Sequence, residues 1–338
     1  MAEKETILVT GVNGYIAART AEALLKAGYR VRGTARSFQS AEATRAALSD
    51  YATQFDVVEV PDITLPGAFD EAVKGVSGIA QLASPVSLSF TKAEPVINTA
   101  KAVVRGILES AIKDPSVKSV VLMSSVAAMR SKKDGPYTFT EKDWNNQAEE
   151  VVHKLGDDAP GPVIYGASKA ASEKEFWNFK EERKPAFTMA SINPSFVHGP
   201  PLVIPSSPDK VSGTPGFIFS ILAGLDVPAA MATPSWVDVR DVARVVTFCL
   251  ENPTITDGER YLLTAAYGPQ QAAADILRKA HPQGKVKEGN PGEGYLPGFK
   301  SPGDQQYDAS KAVKTTGIEY IPYEQSVLDT AKSFEPLL

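Results

Sequence analysis

The chain has 338 residues, 43% of them hydrophobic, so it can bury a large core and exceeds one minimal domain. A formal net charge of -5 gives no basic footprint for nucleic acid and instead aids solubility. Its single cysteine, Cys249, sits in the apolar run 245–250, which excludes an intrachain disulfide and suits a reducing compartment.

Residues 1–4 turn straight into the apolar run 6–10, read as a strand, leaving no room for a signal peptide. Residues 14–27 have helical spacing, with Ile16, Ala21, Leu24 and Leu25 facing inward, and Gly28 stops that helix. Strands are expected at 29–34, 55–60, 78–82 and 118–123, and helices at 41–51, 65–74 and 95–113. The stretch 130–161 is polar and carries Pro and Gly, so it reads as an insertion or flap. A helix at 164–184 and a strand at 187–192 follow. Residues 194–234 are rich in Pro, Gly and Ser and lose the rhythm; 236–250 return to strand then helix, and 260–264 form another strand. The remainder reads as one helix, a Gly/Pro-dense loop at 282–303 and a final helix at 323–334.

Continuous apolar strands alternating with helices imply an α/β fold with a doubly wound parallel sheet, covered on both faces. Ligands of such folds bind at the carboxyl ends of the strands. No apolar stretch approaches the ~20 residues of a membrane span. His153, His198 and His281 are scattered, with no metal-site spacing. A cytoplasmic protein with no nucleic-acid or membrane partner and no metal is expected.

Thr10-Gly11-Val12-Asn13-Gly14-Tyr15-Ile16-Ala17 follows a strand and opens a helix, the context of a dinucleotide-binding loop. Gly11 permits the tight turn, Gly14 lets the backbone approach a pyrophosphate at the helix N-terminus, and Ala17 permits close helix–strand packing. The expected organisation is a Rossmann domain from 1–194 and 236–264, with a smaller substrate lobe from 195–235 and 265–338. Chains that prefer NAD usually end the second strand in an acid. Here Val31-Arg32-Gly33-Thr34-Ala35-Arg36-Ser37 carries none, and Arg36, nearer the strand end than Arg32, suits a 2′-phosphate; two solvated surface arginines are the alternative. NADPH/NADP+ is therefore the expected cofactor. Asp62 could accept from the adenine amino group and Ile63 cover the ring, although a plain turn aspartate fits Asp62 nearly as well. Ala83 and Ser84 close the fourth strand where the cofactor's ribose would lie.

Tyr165 and Lys169 share one face at the start of a helix. Tyrosine is a poor acid at neutral pH, with a reference pKa of about 10. A close ammonium group stabilises its phenolate, and Lys169 could also hydrogen-bond the nicotinamide ribose. Ser124 and Ser125 end the fifth strand; pattern alone hardly separates them, and Ser125 lies farther past the strand. In carbonyl reduction Ser125 would hold the carbonyl oxygen while Tyr165 protonates it.

These motifs, with Asn193-Pro194-Ser195 and Trp236-Val237-Asp238-Val239-Arg240-Asp241-Val242-Ala243, resemble the extended short-chain dehydrogenase/reductase family along nearly the whole chain. Within it they look like the dihydroflavonol reductase, cinnamoyl-CoA reductase and methylglyoxal reductase branch. The loop ending in Ala17 is most similar to the microbial NADPH-dependent aldehyde and ketone reductases. The resemblance implies a catalytic triad of Ser125, Tyr165 and Lys169. It implies cofactor contacts at Gly11, Asn13, Gly14, Tyr15, Ile16 and Arg36, and backbone contacts from Pro194 to Val197 with the nicotinamide amide. Pocket walls are expected from Val86, Ala127, Met129, Phe217, Met231 and Trp236, whose apolar character suits hydrophobic or aryl carbonyl substrates. For Phe217, Met231 and Trp236 core packing is an equal alternative, and His198, beside Gly199-Pro200-Pro201, could line the pocket, although a surface-loop histidine is the preferred reading. Residues 236–241 are expected to be structural, with their charges paired to each other. A monomer or homodimer is expected. The rival functions are an NAD-dependent nucleotide-sugar epimerase or dehydratase, and a non-catalytic NADP-sensing regulator.

Overall fold

The computed structural model describes residues 5–84, 90–225 and 235–338. By contact the chain divides into two units. The first takes the chain to Lys132, then Phe139–Asn193 and Ala243–Leu262; the second takes Lys133–Thr138, Pro194–Val242 and the chain from Leu263.

The first unit is built from β1 (Thr6–Val9), α1 (Tyr15–Lys26), β2 (Arg30–Ala35), α2 (Phe38–Ala47), β3 (Phe55–Glu59), β4 (Gly78–Gln81), α3 (Ala93–Ala111), β5 (Ser119–Met123), α4 (Asn146–Leu155), α5 (Gly161–Arg183), β6 (Thr188–Pro194), α6 (Val239–Glu251) and β7 (Arg260–Leu263). The seven strands form one sheet in the order β7-β6-β5-β4-β1-β2-β3. Pairing is parallel from β6 through β5, β4, β1 and β2 to β3. Strand β5, Ser-Val-Val-Leu-Met, is buried along its whole length because helices cover both sheet faces. Leu8, Ile79, Val120 and Leu122 pack there with Ile107 of α3 and Phe176 and Phe179 of α5. The order reverses between β1 and β4, and the carboxyl ends of these strands flank the crevice where ligands of such sheets bind.

Residues 65–74 do not form the expected helix but a run of turns, closed by Ala68 N–H to Leu65 O and Asp70 N–H to Gly67 O. Pro66 lacks a donor, and Gly67 takes a positive φ of 73°, which breaks the helical repeat. The apolar side chains Phe69, Ala72 and Val73 are still buried, so the periodicity reported burial rather than helix. The expected flap is also structured: it carries a short strand, Tyr137–Phe139, and α4.

In the second unit the strand Ser235–Asp238 lies between Phe196–His198, to which it is parallel, and Ala266–Tyr267, to which it is antiparallel. The helices Pro215–Leu222, Gln270–Ala280 and Tyr323–Phe334 bury Ile218, Phe219, Leu277, Val327 and Phe334 around Trp236. Residues 236–242 therefore group with the second unit and not, as expected, with the first: the sheet pairing holds them there. Residues 133–138 join it too, with the Tyr137 amide donating to Asp304 O at 3.0 Å. Among the described residues no helix is long and apolar enough to cross a membrane.

Candidate active site

The glycine loop between β1 and α1 is fastened from both neighbouring strands. Thr10 Oγ1 accepts the amides of Leu82 and Ala83 at 2.9 Å each and donates to Gln81 Oε1 at 2.9 Å. On the other side Val12 N–H donates to Thr34 O at 2.8 Å and Gly11 N–H to Thr34 Oγ1 at 3.2 Å. Gly11 needs its glycine twice: φ is 64°, and a Cβ would stand 3.2 Å from that of Ala83. Gly33 on β2 leaves room for the loop, since a Cβ there would come within 2.6 Å of Val12 Cγ1. Gly14 begins α1 with no side-chain cap, Asn13 and Gly14 are exposed, and Tyr15 and Ile16 are part-buried. An uncapped helix start behind a glycine turn fits a pyrophosphate, which its first-turn amides and dipole favour.

At the end of β2 the two arginines separate. Arg32 donates to the carbonyls of Ala72 (3.1 Å) and Lys74 (2.7 Å) and lies 3.4 Å from Asp56. Arg36 is exposed, just ahead of Ser37, the N-cap of α2. The carboxylate of Glu59, from the neighbouring strand, is engaged by the Phe38 amide. An exposed guanidinium at this strand end fits a 2′-phosphate. Asp62 forms its own turn: Oδ1 accepts the Thr64 amide and hydroxyl, and hydrogen bonding to that hydroxyl first of all holds its carboxyl below the usual value. Ile63 packs partly against the main core.

The Tyr-Lys pair lies on α5. Lys169 is 4% exposed, and its Nζ donates to Ser84 Oγ at 3.2 Å and Met123 O at 3.4 Å. The ends of β4 and β5 thus meet α5 at this ammonium. Burial lowers its pKa to about 8, opposed by the charge of Glu173. Tyr165 hydrogen-bonds the Ser125 side chain; burial of its hydroxyl raises its pKa, and that bond opposes the rise. The expected stabilisation of the phenolate is therefore not seen in the chain itself, where desolvation outweighs it. Ser125 also caps the short turn Val126–Ala128, accepting the Ala127 amide at 3.1 Å. Ser124 is buried and donates to Glu173 Oε2 at 2.6 Å. This separates the two serines: Ser125 is the one beside Tyr165.

Two supporting residues went unnoticed in the sequence. Asn145, within the supposed flap, caps α4 at the Ala148 amide, and its Nδ2 donates to Ala127 O at 2.9 Å. It fixes the turn after Ser125, and Gly166 makes room for it: a Cβ there would come within 3.0 Å of Asn145 Nδ2. Glu173, one helical turn beyond Lys169, is fully buried and paired with Arg260 at 2.8 Å. Its position on the lysine's own helix face was the available signal.

The expected pocket walls fare unevenly. Val86 and Met231 lie outside the described residues. Ala127 and Phe217 are part-buried, Phe217 against the second unit's core. Met129 is 0% exposed and Trp236 2%, so neither faces an open pocket; the Trp236 indole donates to Gly268 O and packs against Phe196 and His198. The reading of His198 as a surface residue is corrected: it is 1% exposed, with Ser326 Oγ 2.7 Å from its Nδ1. Pro194 ends β6, and Val197 pairs in register with Val237, its carbonyl accepting from Thr214. The charges of 236–241 do pair, Arg240 with Asp238 at 2.8 Å.

Aldehyde reductase 2 of Sporidiobolus salmonicolor is 34% identical over 291 residues, covering 83% of each chain. Ketoreductase adrE of Penicillium roqueforti is 32% identical over 280 residues, covering 82% of this chain and 80% of that one. The crystal structure of yeast methylglyoxal/isovaleraldehyde reductase Gre2 complexed with NADPH superposes with a TM-score of 0.85 at 29% identity, covering 98% of this chain and 100% of that one. Residues 7–263 match the family model of NAD dependent epimerases/dehydratases, and the chain belongs to that family.

Proposed function

We propose that the chain is an NADPH-dependent reductase that converts aldehydes or ketones, especially hydrophobic or aryl ones, to alcohols. The observation that carries this reading is the meeting of Lys169 with Ser84 and Met123 beside the Tyr165–Ser125 hydrogen bond, at the carboxyl ends of β4 and β5. NADPH when bound supplies the hydride. Gly11, Gly14 and the start of α1 would hold its pyrophosphate, and Arg36 its 2′-phosphate. Tyr165, kept as the phenol by burial, donates its proton to the carbonyl oxygen, and Ser125 holds that oxygen. Lys169, protonated at neutral pH, stabilises the phenolate left behind. The small apolar side chain of Ala127 beside Ser125 supports an apolar substrate. Named relatives that reduce aldehydes and ketones support the same reaction.

A carbonyl panel with NADPH and with NADH, followed by chiral analysis of the alcohols, tests this reading. Wild-type protein should oxidise NADPH in preference. Arg36→Glu should raise the KM for NADPH by about 10-fold or more, the worth of one charge-assisted contact, and barely change that for NADH. An equal response of the two cofactors removes Arg36 as the phosphate contact. Turnover of a nucleotide sugar with NAD, and none of carbonyls, replaces the reductase with an epimerase or dehydratase.

A further inference from the structure

Beneath the Tyr-Lys pair lies a buried polar cluster that the proposed reaction does not use. Glu173 is 0% exposed and draws donors from three strand ends. Its Oε2 accepts Ser124 Oγ at 2.6 Å and Asn193 Nδ2 at 2.7 Å; its Oε1 accepts Ser191 Oγ at 2.7 Å and Arg260 Nε at 2.8 Å. Arg260 is itself held by the carbonyls of Glu141 (2.6 Å) and Asp143 (2.9 Å) and lies 3.8 Å over the Trp144 ring. Asn193 Nδ2 reaches on to Ser125 O at 3.2 Å. A carboxylate so deep needs such partners to stay ionised. Burial pushes its pKa up, but the Arg260 charge and the hydrogen bonds from Arg260, Ser124 and Ser191 outweigh that and hold it low.

We propose that Glu173 is a positioning residue for the reaction, acting through its buried charge on Lys169 and through Ser124 and Asn193 on the turn that carries Ser125. This inference rests on the assignment of Lys169 and Ser125 to carbonyl reduction. Glu173 is one turn from Lys169 on the same face of α5. Its charge is the one that supports the buried ammonium against desolvation. The charges on the helices packed against α5 are engaged farther along it: Arg105 with Glu109, Glu175 and Glu182, Lys101 with Glu175, and Glu149 with Lys174. From the strands, Arg260 stands behind Glu173.

Removing the carboxylate's charge leaves desolvation unopposed, so Lys169 loses its proton at lower pH and reduction fails earlier on the alkaline side. The test uses wild type, Glu173→Gln and the double variant Glu173→Gln/Arg260→Met, which removes the Arg260 charge together with that of Glu173 and stands in if the single variant does not fold. Two readouts are taken: the alkaline limb of kcat/KM, and the NMR titration of ¹³Cε-lysine-labelled protein with the Lys169 resonance assigned through Lys169→Met. Wild type should titrate at about 8. Both variants should titrate about one unit lower or more, with the kinetic limb following. A Lys169 resonance that titrates as in wild type overturns the role of Glu173. A resonance that moves while the kinetic limb stays overturns instead the assignment of Lys169 to the reaction, and with it this inference.

Discussion

Each unit of the molecule holds a buried carboxylate against an arginine and a serine, and the two arrangements differ in what stands beside them. In the first unit Glu173 pairs with Arg260, which is 8% exposed, and takes the Ser124 hydroxyl. In the second, Asp238 pairs with Arg240 at 2.8 Å and takes the Ser326 hydroxyl. Arg240 reaches outward, to Asp329 at 2.7 Å, whereas Arg260 stays inside. The neighbour of Glu173 is an ammonium whose pKa falls to about 8, still protonated at neutral pH. The neighbour of Asp238 is His198, whose pKa burial lowers to about 4 against the charge of Asp238, so it stays neutral. Similar pieces thus stand beside one base that stays charged and another that stays neutral within a core. What differs is the kind of base: burial lowers both, but the lysine starts from 10.5 and the imidazole from 6.5, so only the lysine keeps its proton at neutral pH.

The largest expected effect separates the two arginines. Arg260→Ala leaves Glu173 charged and buried and should cost about 3–5 kcal/mol of unfolding free energy in denaturant titrations. Arg240→Ala should cost only about 1–2 kcal/mol, because the Arg240 side chain is partly exposed where that of Arg260 is buried. Equal costs would erase the distinction. Next comes pH. The folded pKa of His198, about 4, lies below its ordinary value of 6.5, so the unfolded chain binds the proton first as pH falls. Its contribution is complete above pH 6.5 and is lost on the way down to about 4, roughly 3 kcal/mol in all. His198→Phe should remove that part of the slope; parallel stability curves for variant and wild type would contradict it. The smallest effects are the sharpest in kind. Ser124→Ala and Ser326→Ala should each lose about 1 kcal/mol of stability. Only Ser124→Ala should also lower kcat/KM, and a matching loss in Ser326→Ala would break the comparison.

The central sheet was legible because its strands are short continuous apolar runs between glycines and helices, a signal that survives without tertiary information. Two strands of the second unit were not: Phe196–His198 and Ala266–Tyr267 are too short to show a period. The glycine loop, Arg36 and the Tyr-Lys spacing could be picked out because each is local. The groups that hold them are assembled over long separations. Glu173 meets Arg260 across 87 residues, and Ser326 meets His198 across 128. The Gly-Pro-Pro sequence after His198 suggested a surface loop, and only Ser326 and the Trp236 ring show why that imidazole is buried.

The proposed reaction depends on Tyr165 as its proton donor. NADPH oxidation should therefore be followed with an aryl ketone or aldehyde for wild type and Tyr165→Phe, alongside the affinity of each for NADPH. A turnover rate at least ~10²-fold lower in the variant, with cofactor affinity retained, is the predicted result. Turnover equal to wild type would contradict it.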